Sequence, residues 1–163
     1  IDEDIRPSLP LVEKLSQVAT AIAGELPVAI AIEVKGDISG HDCSVLATSA
    51  IKGALLATGA EDVTYVNAPN IAEERGLTAT VTTNAESPEF RSMITLHASF
   101  ADGKFVDVHG TLMGIRKVEK IIVHMDFTGN NWDSSTLEKV IIAGKTCPVA
   151  KTIEDSVQIE FNF

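Results

Sequence analysis

Four runs of residues with alternating apolar and polar side chains follow one another from the middle of the chain onward. They span residues 77–83, 91–100, 104–113 and 117–127. Alternation with a period of two is typical of a strand with one buried face. The Ala-Asp-Gly sequence at 101–103, between the second and third runs, is typical of a hairpin turn. The chain is therefore predicted to contain a largely antiparallel sheet.

Four helices are predicted around these runs. The first runs from Pro10 to Gly24, with proline in the first turn and glycine at the end. The second follows Asp42, which is placed to cap it. The third covers 69–75, and the fourth begins at Ser135, where a serine followed by glutamate three residues later forms a capping box. The first helix has apolar residues at three- and four-residue spacing: Leu11, Leu15, Val18 and Ile22.

Further strands are predicted over 27–35, 62–67 and 157–163. In the first of them, Val28, Ile30, Ile32 and Val34 are expected to face inward. The last strand alternates in the same way and is expected to join the sheet. The predicted fold class is α+β: a largely antiparallel sheet with helices packed on one face, in one domain over 1–163.

Composition excludes several classes of function. The 163 residues are 45% hydrophobic, which is enough for a buried core, and the net charge of -10 would repel a phosphate backbone. The apolar runs are shorter than the roughly 18 residues that cross a bilayer. With only two cysteines, both expected to be reduced, we predict a soluble cytoplasmic protein that binds neither nucleic acid nor membrane.

The segment 66–91 reads VNAPNIAEERGLTATVTTNAESPEFR, with VNAP, AEERGL and ES-P-x-x-R in order. This pattern resembles the allosteric substrate-binding (regulatory intervening) domain of D-3-phosphoglycerate dehydrogenases, enzymes of serine biosynthesis, and the resemblance covers about 9–121. The G-x-G-x-x-G turn that holds a dinucleotide is missing from the sequence. The resemblance therefore implies a non-catalytic regulatory domain without a bound cofactor.

Residues from about 117 to 163 resemble a different family, the C-terminal part of OsmC-like thiol peroxidases, through LEK, CPV-x-KT and a final alternating strand. The chain then divides into a regulatory-domain portion over 9–116 and a strand-helix-strand portion over 117–163. An engineered chimera or scaffold without activity is one interpretation. A thiol peroxidase that uses Cys147 with Cys43 is the alternative to the regulatory domain.

The resemblance also implies a site for a small anion, phosphate or a phosphohydroxy acid, at Arg91, Thr83 and Asn84. A guanidinium suits such a ligand because it donates two parallel hydrogen bonds. The family's neighbouring lysine and histidine are replaced here, at Thr82 or Thr83 and at Phe90. The competing interpretation is a surface arginine paired with Glu86 or Glu89.

Two further groups of residues have less specific signals. Cys147 precedes a proline at a predicted helix start, where the helix dipole favours a thiolate, but a buried structural cysteine is the simpler interpretation. His41, His97, His109 and His124 show no metal-binding spacing. We expect no metal, and we expect the last three to face the surface from neighbouring strands.

A homodimer is expected from one helix and from the edges of the sheet. The helix after Asp42 is rich in small residues, which allow close packing, and an exposed strand edge invites pairing. The resembling domain works inside a tetramer. The small residues are Ser49, Ala50, Gly53, Ala54 and Ala57.

Overall fold

The computed structural model describes residues 2–86, 91–113, 117–124, 132–145 and 158–162. Its elements, in chain order, are α1 (Ser8–Ala23), β1 (Ala29–Gly36), a 3-10 helix (Asp37–Gly40), α2 (Val45–Ala57), α3 (Ala68–Arg75), β2 (Thr78–Asn84), β3 (Ser92–Ser99), β4 (Phe105–Met113), β5 (Lys117–His124), α4 (Ser134–Lys145) and β6 (Gln158–Asn162). No helix within these described ranges is long and apolar enough to cross a membrane.

The strands described form one sheet in the order β2-β1-β3-β4-β5-β6. The three central pairings, β1 with β3, β3 with β4 and β4 with β5, are antiparallel. The outer strands are parallel to their neighbours: β2 to β1, and β6 to β5. The predicted α+β class with a largely antiparallel sheet is confirmed. The parallel outer strands arise because helices connect β1 to β2 and β5 to β6, and a helical crossover returns the chain in the same direction.

One face of the sheet carries the core. Helix α1 packs against β3, β4 and β5, while α2 packs against β1 and β2. Every second side chain along each strand points into the core from the sheet, and the apolar side chains of α1 pack against them from the helix side. Burying each large aliphatic side chain contributes about 1.5–3 kcal/mol relative to leaving it exposed. The fully buried members include Leu11, Leu15, Val18, Ile30, Ile32, Val34, Ile94, Leu96 and Val108.

The small residues of α2 pack inside the chain. Ser49, Ala50 and Ala54 are fully buried, and α2 crosses α1 so closely that a Cβ on Gly53 would overlap the carbonyl oxygen of Glu13. The Ser16 hydroxyl donates to the Ala50 carbonyl oxygen at 2.6 Å across the same contact. Close approach to α1 therefore accounts for the small side chains that suggested contacts between subunits.

Three local predictions are wrong. Val28 lies before β1 and is 42% exposed. Residues 62–67 form turns rather than a strand, because the Asn67 side chain accepts from the Thr64 N–H at 2.7 Å and donates to the Asp62 carbonyl oxygen at 2.8 Å.

The third concerns the start of α4. Helix α4 is capped by Asp133 rather than by Ser135, since the Thr136 N–H donates to Asp133 Oδ1 at 2.7 Å.

Candidate functional site

The ends of β1 and β2 bring two of the predicted ligand residues next to a lysine. In the parallel register Thr83 lies opposite Val34 and Asn84 lies opposite Lys35. Successive strand residues point to opposite faces, so Thr83 faces the helix side, whereas Asn84 shares the open face with Lys35. The Lys35 ammonium lies 2.9 Å from Glu33 Oε2. Sequence reasoning missed Lys35, because its place beside Asn84 depends on the β1–β2 register.

Arg91 enters the same end of the sheet from the other side of β1. It precedes Ser92, which lies opposite Gly36 in the β1–β3 register. The N–H of Asp37 donates to the carbonyl oxygen of Arg91 at 3.0 Å. Gly36 has φ 82° and ψ -150°, and a Cβ there would overlap the Arg91 carbonyl oxygen. Glycine at 36 is thus what allows the backbone at Arg91 to dock on the end of β1.

The Arg91 side chain lies on the surface, paired with an acidic residue. Its Nε donates to Asp37 Oδ2 at 2.6 Å, and the side chain is 91% exposed. The sequence predicted an acidic partner at Glu86 or Glu89, and the structure shows Asp37 as the partner. Glu86 instead donates its N–H to Asn84 Oδ1 at 3.0 Å, while position 89 lies outside the described residues.

The two cations at this end of the sheet already have acidic partners. Arg91 and Lys35 each have a carboxylate partner, so an incoming anion must replace or share those partners. Because exposed ion pairs are worth only about 0–1 kcal/mol, the exchange costs little. Three further basic residues that could add to such a site, Arg116, Lys117 and Lys120, have side chains outside the described part of the chain.

Cys43 sits in an environment that disfavours a thiolate. The side chain is 4% exposed, and Sγ donates to the carbonyl oxygens of Ile38 and His41, at 3.4 Å each. Burial, and then the neighbouring Asp42 carboxylate, raises the pKa of the Cys43 thiol. Cys147 lies outside the described residues, so the pairing of the two cysteines stays a prediction.

Three histidines share the open face of the sheet, as their strand positions suggest. His97 bonds through Nδ1 to Asp107 Oδ1 and stacks on Phe105. His109 Nδ1 lies 2.9 Å from the Thr95 hydroxyl, and its ring meets that of His124 edge-on at 6.3 Å. Burial lowers the pKa of His109, with smaller contributions from nearby charges.

His41 lies between two carboxylates near the start of the chain. Its Nδ1 is 2.7 Å from Asp2 Oδ2, and its Nε2 is 3.8 Å from Asp4 Oδ2. These three residues form the one cluster of potential metal ligands among the described residues. The hydrogen bond that His41 donates to Asp2 raises the pKa of His41, and the charges of Asp2 and Asp4 add to the same effect.

These features define an α+β domain with helices on one face of the sheet and a small polar site at its end. A family model for the D-3-phosphoglycerate dehydrogenase intervening domain matches residues 4–126. The chain belongs to this family. It is 40% identical over 134 residues to D-3-phosphoglycerate dehydrogenase of Mycobacterium leprae, which covers 82% of this chain and 25% of that protein. It is also 40% identical over 122 residues to the Mycobacterium bovis enzyme, with 75% and 23% covered. The chain thus spans about a quarter of the length of these relatives.

Proposed function

We propose that this chain is a non-catalytic regulatory domain. It binds a small anion, phosphate or a phosphohydroxy acid, at the end of the sheet where Arg91, Thr83 and Asn84 lie. The proposal rests chiefly on one observation: the chain matches the intervening domain of a dehydrogenase rather than its catalytic domains. Arg91 and the end of β2, which carries Thr83 and Asn84, lie on either side of the same end of β1. This proximity supports the assignment of the site.

The expected binding chemistry follows from the contacts of Arg91. A phosphate group replaces the Asp37 carboxylate on the guanidinium, which then donates two parallel hydrogen bonds to phosphate oxygens. The Asn84 amide and the Lys35 ammonium approach from the open face. Thr83 reaches the ligand only around the strand edge, because its side chain points to the other face. Because the Arg91 side chain is exposed and its charge is screened by water, we expect weak binding, with a Kd of about 1 mM, equivalent to about -4 kcal/mol.

Titration calorimetry with inorganic phosphate tests this site. Arg91→Ala should weaken binding at least about tenfold, the loss expected for a charge-assisted bidentate contact. Asp37→Asn should tighten it, because the competing carboxylate is gone. Arg75→Ala is the matched control: it removes one exposed cation from the last turn of α3 and should leave affinity unchanged. Equal affinity of the Arg91 and Arg75 variants would refute the assignment.

We also propose that residues 1–163 fold as one cytoplasmic unit in which the 117–163 portion is integral. Strand β5 begins where the second resemblance begins and pairs with β4 on one side and β6 on the other. Both portions therefore contribute to one sheet. An engineered origin for the join stays a hypothesis, and a single genomic reading frame containing both VNAPNIAEERG and GKTCPVAKTIED would contradict it.

A further inference from the structure

Strand β2 leaves a row of backbone groups without a partner strand. It ends the sheet, and among the described residues no other strand pairs with its outer side. The N–H of Thr78 donates to the carbonyl oxygen of Val28 at 3.1 Å, which directs Thr78 toward β1. Because these groups alternate sides along a strand, Ala79, Val81 and Thr83 direct their N–H and C=O groups outward.

The sequence of β2 lacks the features that usually protect a strand edge. Thr78–Asn84 reads TATVTTN and contains no charge, proline or glycine. Charged residues, prolines and bulges are the common means of preventing edge pairing. The opposite edge differs, because β6 carries Glu160. On a chain with a net charge of -10, β2 is a neutral strip along which two copies can approach without facing like charges.

We propose that β2 pairs with β2 of a second copy of this chain, antiparallel about a two-fold axis at Val81. In this register Val81 faces Val81 of the other copy, and Ala79 faces Thr83 of the other copy. These pairs exchange about six backbone hydrogen bonds, two for each hydrogen-bonded pair. The interface is isologous, as a two-fold requires, and it joins the two sheets into one. It covers the strand edge at Thr83, so in the dimer Thr83 no longer reaches an anion around that edge, whereas Arg91 lies on the far side of β1 and stays outside the interface.

The register makes a charge-swap test possible. Thr80 lies opposite Thr82 of the other copy, in a non-hydrogen-bonded pair whose side chains approach closely on the open face. Both threonines are exposed. The double variant T80K/T82K sets two ammonium groups against each other on each side of the axis. The variant T80E/T82K instead sets a carboxylate against an ammonium twice.

Sedimentation velocity over about 5–300 µM measures the outcome for the whole chain, and circular dichroism checks that both variants fold. We expect a wild-type dimer, dimerisation at least about tenfold weaker in T80K/T82K, and dimerisation retained in T80E/T82K. The lysine variant reduces the net negative charge by two, so general repulsion would favour its association, and a loss must be local. A wild-type monomer throughout this range overturns the proposal. So does an equal effect of the two variants, because the threonines would then not face each other.

Discussion

Replacing Gly36 by alanine tests how the fold positions Arg91. Gly36 has φ 82° and ψ -150°, a region that residues with a Cβ adopt at a cost of about 1–3 kcal/mol. The new Cβ also overlaps the Arg91 carbonyl oxygen. Relieving this overlap breaks the 3.0 Å hydrogen bond from the Asp37 N–H, a loss of about 0.5–1.5 kcal/mol. We expect Gly36→Ala to lower the free energy of unfolding by about 2–4 kcal/mol.

Two other glycines separate these contributions. Gly59 has φ 78° but open space around a Cβ, so Gly59→Ala should cost only the conformational penalty of about 1–2 kcal/mol. Gly40 lies in the same turn as Gly36, with open space and without a positive φ. Gly40→Ala should therefore change stability by no more than about 0.5 kcal/mol.

Thermal and urea denaturation followed by circular dichroism give the ranking. For a chain of this size each kcal/mol shifts Tm by about 2–4 °C, so Gly36→Ala should melt about 5–15 °C below wild type. It should also weaken phosphate binding, because the backbone of Arg91 is displaced. A Gly36 variant as stable as the Gly59 variant would refute the close packing of Arg91 on the end of β1.

Four further outcomes are expected. Burial lowers the pKa of His109, so the neutral ring contributes stability that is fully present above about pH 6.5 and is lost as pH falls through the lowered pKa. In urea titrations, His109→Gln should therefore lose less free energy of unfolding than wild type over this pH range. Asp2 raises the pKa of His41, so the pair of Asp2 and His41 stabilises the fold below about pH 6.5, and this stabilisation is lost as pH rises through the raised pKa. Asp2→Asn should therefore lower the pKa of His41 measured by NMR. Deletion after Gly129 removes α4 and β6 and should unfold or aggregate the chain; a cooperative monomeric melt would make this tail an appendage. Reduced protein should consume organic hydroperoxide no faster than its Cys147→Ser variant, and a large Cys147-dependent rate would establish a peroxidase.

Patterns of a single segment predicted most of the fold. The alternating runs became strands β2 to β5, because each places one apolar face on the same core. The errors arose where polar side chains compete with regular structure. The turn at 62–67 depends on hydrogen bonds of Asn67, and Asp133 and Ser135 are both suitable caps for α4. Only their positions relative to the Thr136 N–H distinguish the two.

The site depended on information that no single segment contains. Arg91, Thr83 and Asn84 were chosen from the family resemblance, whereas Lys35 and Asp37 lie beside them only because β1 separates β2 from β3. Strand order follows from the crossover helices and from the packing of the whole core. Likewise, the small residues of α2 could not be assigned to α1 rather than to another subunit without the crossing seen at Gly53.

The most direct test of the regulatory anion site is a titration of isotope-labelled protein with inorganic phosphate, followed by amide NMR shifts. Saturable shifts should concentrate at the amides of Gly36, Asp37, Asn84 and Arg91, and in Arg91→Ala their midpoint should move to a phosphate concentration at least about tenfold higher. Saturable shifts centred elsewhere, or none up to about 50 times the expected Kd of about 1 mM, would contradict the account.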